Sequence, residues 1–151
     1  MSARLVFATA NAHKVEELEA ILAPAWEGFE AGCVARMSDF DVDSPVEDGV
    51  SFEENSLIKA RALARATGLA AIADDSGITV DVLGGAPGIF SARWAGSHGD
   101  DAANLRLLID QLSDVPDRHR GAAFLSAAVL VPPDGRAFVE PGRVRGPLTR
   151  S

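Results

Sequence analysis

Cysteine is nearly missing from this chain. Cys33 stands alone, so no internal disulfide forms and no cysteine-rich metal centre is built. A solitary free thiol is expected as a small buried apolar side chain. Histidine is scarce as well: His13, His98 and His119 lie far apart without paired metal-ligand spacing, which argues against a zinc enzyme. His98 and His119 read as loop residues. No stretch approaches the roughly 18 to 20 apolar residues of a membrane helix. The opening MSARLVFATANAHK holds no apolar run of secretory length, so the expectation is a cytoplasmic protein without a membrane partner. Positive charge is also short. Lys and Arg number 14 against 22 Asp and Glu, a net charge of −8. That balance repels polyanions at long range and disfavours a nucleic-acid polymer as partner. A small phosphorylated ligand stays open, because a metal ion and a few local lysines invert the field within one pocket.

What is present suits one globular domain. The 151 residues are 47% hydrophobic, enough for a single core. Arg4 to Ala8 reads as a strand, and Thr9-Ala10-Asn11 closes it. A helix follows over Ala12 to Leu22, with Val15, Leu18 and Leu22 as its apolar stripe and Pro24 as its stop. A weak strand is predicted near Cys33 to Met37, then an acidic loop from Asp39 to Gly49. Ser51-Phe52-Glu53-Glu54 fits a capping box, and Leu57, Ala60, Leu63 and Ala64 give the next helix an apolar side until Gly68 ends it. Leu69 to Ala73 reads as a short buried strand running into Asp74-Asp75-Ser76-Gly77, and Ile78 to Leu83 as a separate strand. Gly84 to Gly88 is a tight loop. A helix is predicted over about Asp101 to Leu112 with Leu105, Leu108 and Leu112 on one face. Strands near Ala122 to Val131 and Arg136 to Val144, with a turn at Pro133-Asp134-Gly135, suggest a hairpin. Strands alternating with helices, then a hairpin, imply an α/β domain with a mixed sheet.

The strongest chemical signal is Asp74-Asp75-Ser76-Gly77 at the end of an apolar run. Catalytic groups in α/β proteins gather at strand C-termini. Neighbouring side chains of an extended segment point opposite ways, so one aspartate is expected to face a site. The competing reading is a solvated acidic turn. Glu47 sits in the loop ahead of the capped helix. With Asp75 it would supply the one or two carboxylates that magnesium commonly takes beside phosphate oxygens; alone, it reads as a surface acid. Thr9, Asn11 and Lys14 occupy a turn and the first turn of a helix, where free N–H groups and the helix dipole favour an anion. A capping asparagine and a solvated lysine would look the same. Asn55 and Lys59 are four apart on one helical face. Arg93 and Trp94 follow the glycine-rich loop, and nothing in their spacing separates function from packing.

Taken in order, five motifs carry a resemblance: TANAHK (9–14), FEENSLIKA (52–60), ADDSG (73–77), LGGAPG (83–88) and SAR (91–93). Together they resemble the inosine triphosphate pyrophosphatase family, the non-standard purine NTP pyrophosphatases or dITP/XTP diphosphatases. The resemblance implies a mixed, elongated central β-sheet flanked by helices. It implies hydrolysis of ITP, dITP and XTP to monophosphate and pyrophosphate, with Mg2+ as cofactor and a homodimer as assembly. By position it implies Asp75 as general base and metal ligand, Glu47 as second metal ligand, and Ser76 as a substrate contact. Thr9, Asn11, Lys14 and Lys59 would hold the phosphates. Two departures stand out. Ala10 and His13 occupy positions where the family often has glycine, and His13 adds bulk beside the phosphate turn. The family's C-terminal GFGYD-type loop, its lysine and its Ser-His-Arg motif, which read the base, are not found in these 151 residues. The expected domain, 1–151, is therefore the metal and phosphate part without the base-recognition section. Two other readings remain open at this point: a non-catalytic nucleotide- or metal-binding remnant, and an aspartate-nucleophile phosphatase passing through an acyl-phosphate.

Overall fold

The computed structural model describes residues 3–150. Five strands form one sheet in the order β2-β1-β3-β4-β5: β1 Leu5–Phe7, β2 Val34–Arg36, β3 Ala70–Val80, β4 Gly121–Val131 and β5 Phe138–Pro147. β1 pairs in parallel with β2 and β3, while β3, β4 and β5 pair antiparallel. Three helices join them: α1 Ala12–Ala25, α2 Phe52–Thr67 and α3 Asp101–Gln111. The mixed α/β sheet implied by the sequence is the observed architecture. Among the described residues, no helix is long and apolar enough to cross a membrane.

Local chemistry sets most boundaries. Asn11 caps α1 by accepting from the His13 amide at 2.9 Å. The helix continues through Pro24, contrary to the expected stop. Pro24 lies in the last turn, where its missing N–H costs a single bond. Trp26 then fixes the end, its amide donating to Leu22 at 2.8 Å and its ring joining the cluster around Phe7, Val15 and Cys33. Cys33 is fully buried, as expected. Ser51 caps α2 by accepting from Glu54 N at 3.0 Å, but the Glu54 carboxylate reaches one residue further than a standard box, to Val50 N at 2.7 Å. Gly68, at φ 71°, closes α2 in the left-handed conformation that a side chain would disfavour.

The two strands expected around Asp74-Asp75-Ser76-Gly77 are one. β3 runs unbroken through the motif because β4 pairs with it throughout, setting Asp75 opposite Ala127 and Gly77 opposite Leu125. The acidic motif therefore lies mid-strand rather than at a strand end. The strand that does end there is β1, whose pairing with β3 stops at Ile72. A second expectation fails in α3. Leu108 and Leu112 are buried but Leu105 is exposed, because Asn104 takes the inward position and accepts from Ala95 N at 2.7 Å. β5 begins two residues later than expected, since Arg136 is tied back to Asp134 in the turn.

Candidate active site

The site forms where α2 crosses β3 just beyond the end of β1. Period-two alternation puts Ala71, Ala73, Asp75 and Gly77 on one face of β3. Ala71 and Ala73 pack against Ala60, Leu63 and Ala64 of α2 in the main core. These small side chains let helix and strand approach closely, and the next position in the row is Asp75. Along α2, Asn55, Lys59 and Leu63 recur at four-residue spacing, so the buried stripe that anchors the helix turns polar beside Asp75.

Lys59 Nζ donates to the Asp74 carbonyl and lies 3.4 Å from Glu47 Oε1 and 4.0 Å from Asp75 Oδ1. Asn55 is buried; its Oδ1 accepts from Gly49 N at 2.8 Å, and its side chain also bonds the Asp75 carboxylate. One side chain thus ties the Glu47 loop to Asp75. Gly49 is needed for this approach, since a Cβ there would sit 2.7 Å from Asn55 Oδ1. The Asp75 carboxyl is raised above its ordinary 3.8, chiefly by burial and further by Glu47, against the opposing pull of Lys59, Asn55 and the Ser76 backbone. Asp74 points to the other face, and its carbonyl is what the site uses.

Glu47, Asn55, Asp75 and Ser76 line a narrow cleft of about 50 Å³ with Ile89, Ala92, Arg93 and His98. At roughly 10–15 Å³ per water position, it has room for a few waters or an ion with a phosphate group, and not for a whole nucleotide. The donors fit a hard divalent cation. They are carboxylate and amide oxygens, and a lysine ammonium already bridges the two acids where positive charge is favoured. Among the described residues, no group of three or more His, Cys, Asp or Glu gathers in a way that would hold a metal.

Of the residues singled out from the sequence, Glu47, Asp75, Ser76 and Lys59 are brought together. Thr9, Asn11 and Lys14 do not line the cleft. They stand at the end of β1, which Ala8 ties to β3 by donating to Ile72 O at 2.8 Å. Thr9 Oγ1 accepts from Asn11 N at 3.1 Å, which fixes the turn. His13 leans along α1, with Nε2 3.2 Å from Glu17 Oε1. Two lining residues carry no role in the sequence: His98 reads as a plain loop residue, and the spacing of Arg93 fits function and packing equally. Both reach the cleft through loop geometry that has no periodic signature. Arg93 lies against an aromatic ring, that of Phe90, at 5.2 Å.

Distant carboxylates and a lysine that meet beside the end of a parallel strand place this chain among the α/β proteins with a candidate ligand crevice at a strand end. The particular lineage follows from comparison: residues 5–151 match the Ham1 family, and the chain belongs to it. It is 59% identical over 145 residues to a dITP/XTP pyrophosphatase of Streptomyces avermitilis, covering 96% of this chain and 72% of that protein. A dITP/XTP pyrophosphatase of Leifsonia xyli is 52% identical over 147 residues, with 97% and 71% covered. Among solved structures, the nucleoside-triphosphatase / dITP/XTP pyrophosphatase of Mycobacterium abscessus superposes with a TM-score of 0.85 at 47% identity, covering 99% of this chain and 75% of that one. A HAM1 protein from Coxiella burnetii gives 0.87 at 32% identity, with 99% and 74% covered.

Proposed function

We propose that this chain hydrolyses non-standard purine nucleoside triphosphates, dITP, ITP and XTP, to monophosphate and pyrophosphate, removing them from the nucleotide pool. The observation that carries the reading is that Glu47 and Asp75 line one phosphate-sized cleft while the Lys59 ammonium bridges the two carboxylates. Relatives bearing the name dITP/XTP pyrophosphatase support the substrate class. The remnant reading is not favoured, because every residue assigned to metal and water chemistry is present and gathered.

In this mechanism Glu47 and Asp75 would hold Mg2+. When bound, the ion neutralises phosphate charge and polarises the phosphoryl oxygens. The rest falls to the chain. Asp75 orients a water and accepts its proton as the water attacks the α-phosphorus, and the α–β bridging oxygen leaves with pyrophosphate. Before any ion is bound, burial holds the Asp75 carboxyl above its ordinary range. Lys59 offsets charge beside the carboxylates, and Ser76 contacts substrate at the rim. Thr9, Asn11 and Lys14 hold phosphates at the end of β1, where the first amides of α1 and its dipole favour an anion. Lys14 and Lys59 are the only two lysines in the sequence, and the reading uses both. Base discrimination is assigned to the section that the family resemblance implies and these residues lack. A homodimer in the cytoplasm completes the proposal.

Incubating the chain with dITP and magnesium and identifying the phosphorus products tests the reading. Pyrophosphate with dIMP is expected. Orthophosphate, or an acyl-phosphate trapped on Asp75, would sink it.

A further inference from the structure

The cleft carries an unspent cation. A triphosphate brings several negative charges to a site that already holds two carboxylates, in a chain of net charge −8. Lys59 is committed to Glu47, Asp75 and the Asp74 carbonyl. Arg93 is not committed. Among the described residues its guanidinium has no carboxylate partner and no hydrogen-bond acceptor, and it lies over the Phe90 ring at 5.2 Å. A contact with a ring uses none of the guanidinium N–H donors, and their fork matches two phosphate oxygens. His98 lines the same cleft.

This wall is built rather than incidental. The 3-10 segment Gly88–Arg93 lies flush on β3 because Gly77 has no side chain. A Cβ there would come within 2.5 Å of Ser91 Oγ and 2.6 Å of Gly88 O. Ser91 Oγ accepts from Ile78 N at 3.0 Å and donates to Gly88 O at 2.6 Å, locking the segment beside the acidic motif. Beyond it, Gly99 N donates to Ala92 O at 2.8 Å, closing the loop that returns His98 to the cleft. Asn104 of α3 holds the loop at Ala95. Gly77 thereby acquires a reason beyond turn formation: it admits the segment that delivers Arg93.

We propose that Arg93, assisted by His98, binds phosphate oxygens of the triphosphate tail and of the pyrophosphate product from the loop side of the cleft. The inference rests on the pyrophosphatase reading but names a contact that reading did not use. Its test is calorimetric binding of magnesium pyrophosphate to the intact chain and to R93A, R93K and H98A. A charge-assisted contact of this kind predicts a Kd weakened about tenfold or more in R93A, partly recovered in R93K, and weakened about threefold in H98A. Because the Arg93 side chain is exposed, R93A should melt within about 2 °C of the parent; if it melts lower, R93K keeps the side-chain stem and the charge and carries the comparison. Equal affinity for R93A and the parent overturns the proposal, and so does failure of the parent to bind. Failure of the pyrophosphatase reading would appear separately, as the wrong phosphorus product from dITP.

Discussion

The two halves of the sheet are built on different terms. On the β2-β1 side the strands are parallel, three residues long and largely buried, and they flank the first part of β3. Val6 is fully buried, and Ala71 and Ala73 lie under α2 without exposure. On the β4-β5 side the strands are long and antiparallel, and β5 is exposed along nearly its whole length. Phe124 and Val144, paired across the β4-β5 ladder, are 54% and 72% exposed. β3 belongs to both halves, and the candidate site lies where it leaves β1 and continues with β4 alone. Dense packing fixes the positions of Asp75, Asn55 and Lys59 to the precision chemistry needs. The open half contributes no residue to the cleft. Position within the packing, more than acidity, separates Asp75 from Asp74.

Changes on the packed side should therefore be costly and those on the open side cheap. The largest effect is expected from D75N, which should lower dITP turnover by roughly a thousandfold, the usual scale for losing a general base. The same change should raise the melting temperature at pH 7 without magnesium. A carboxyl with a raised folded-state pKa destabilises the fold as pH climbs from 3.8 through that higher value, and the amide removes this cost while Lys59 keeps the nearer Glu47. Next is N55A. It leaves the Gly49 amide without its acceptor and releases the Glu47 loop, costing about 1–3 kcal/mol in denaturant unfolding together with weaker magnesium binding. Third is G77A, where the new methyl meets Ser91 and Gly88. A loss of about 1–3 kcal/mol is expected, with pyrophosphate affinity falling as in R93A. The smallest effect is expected from V144T on the open half, within about 0.5 kcal/mol by monomer unfolding. If that change instead lowers stability in proportion to protein dilution, the open face is an association surface.

Much of this arrangement was legible in the residues. The strand, polar turn and helix of 4–22 came from an apolar run followed by a helical stripe. The start and end of α2 came from Ser51 and Gly68. Glu47, Lys59, Asp75 and Ser76 could be named together only because five motifs in order resemble a family; spacing alone leaves Glu47 a surface acid. The unbroken β3 was not legible. Asp-Asp-Ser-Gly has the composition of a turn, and only pairing with β4, contacts distant in sequence, keeps it extended. Asn104 displacing Leu105 from the buried face of α3 was hidden for a similar reason: its acceptor role serves a loop. Arg93 and His98 reach the cleft by a glycine-permitted approach and a loop closure, neither of which leaves a period to read.

Magnesium affinity in the presence of a non-hydrolysable dITP analogue tests the central claim most directly, compared among the parent, E47Q, D75N and the double variant. If both acids hold one ion, each single change should weaken binding by at least tenfold, and the double change should cost far less than the sum of the two. E47Q binding magnesium as the parent does, or two losses that simply add, would contradict a shared ion between Glu47 and Asp75.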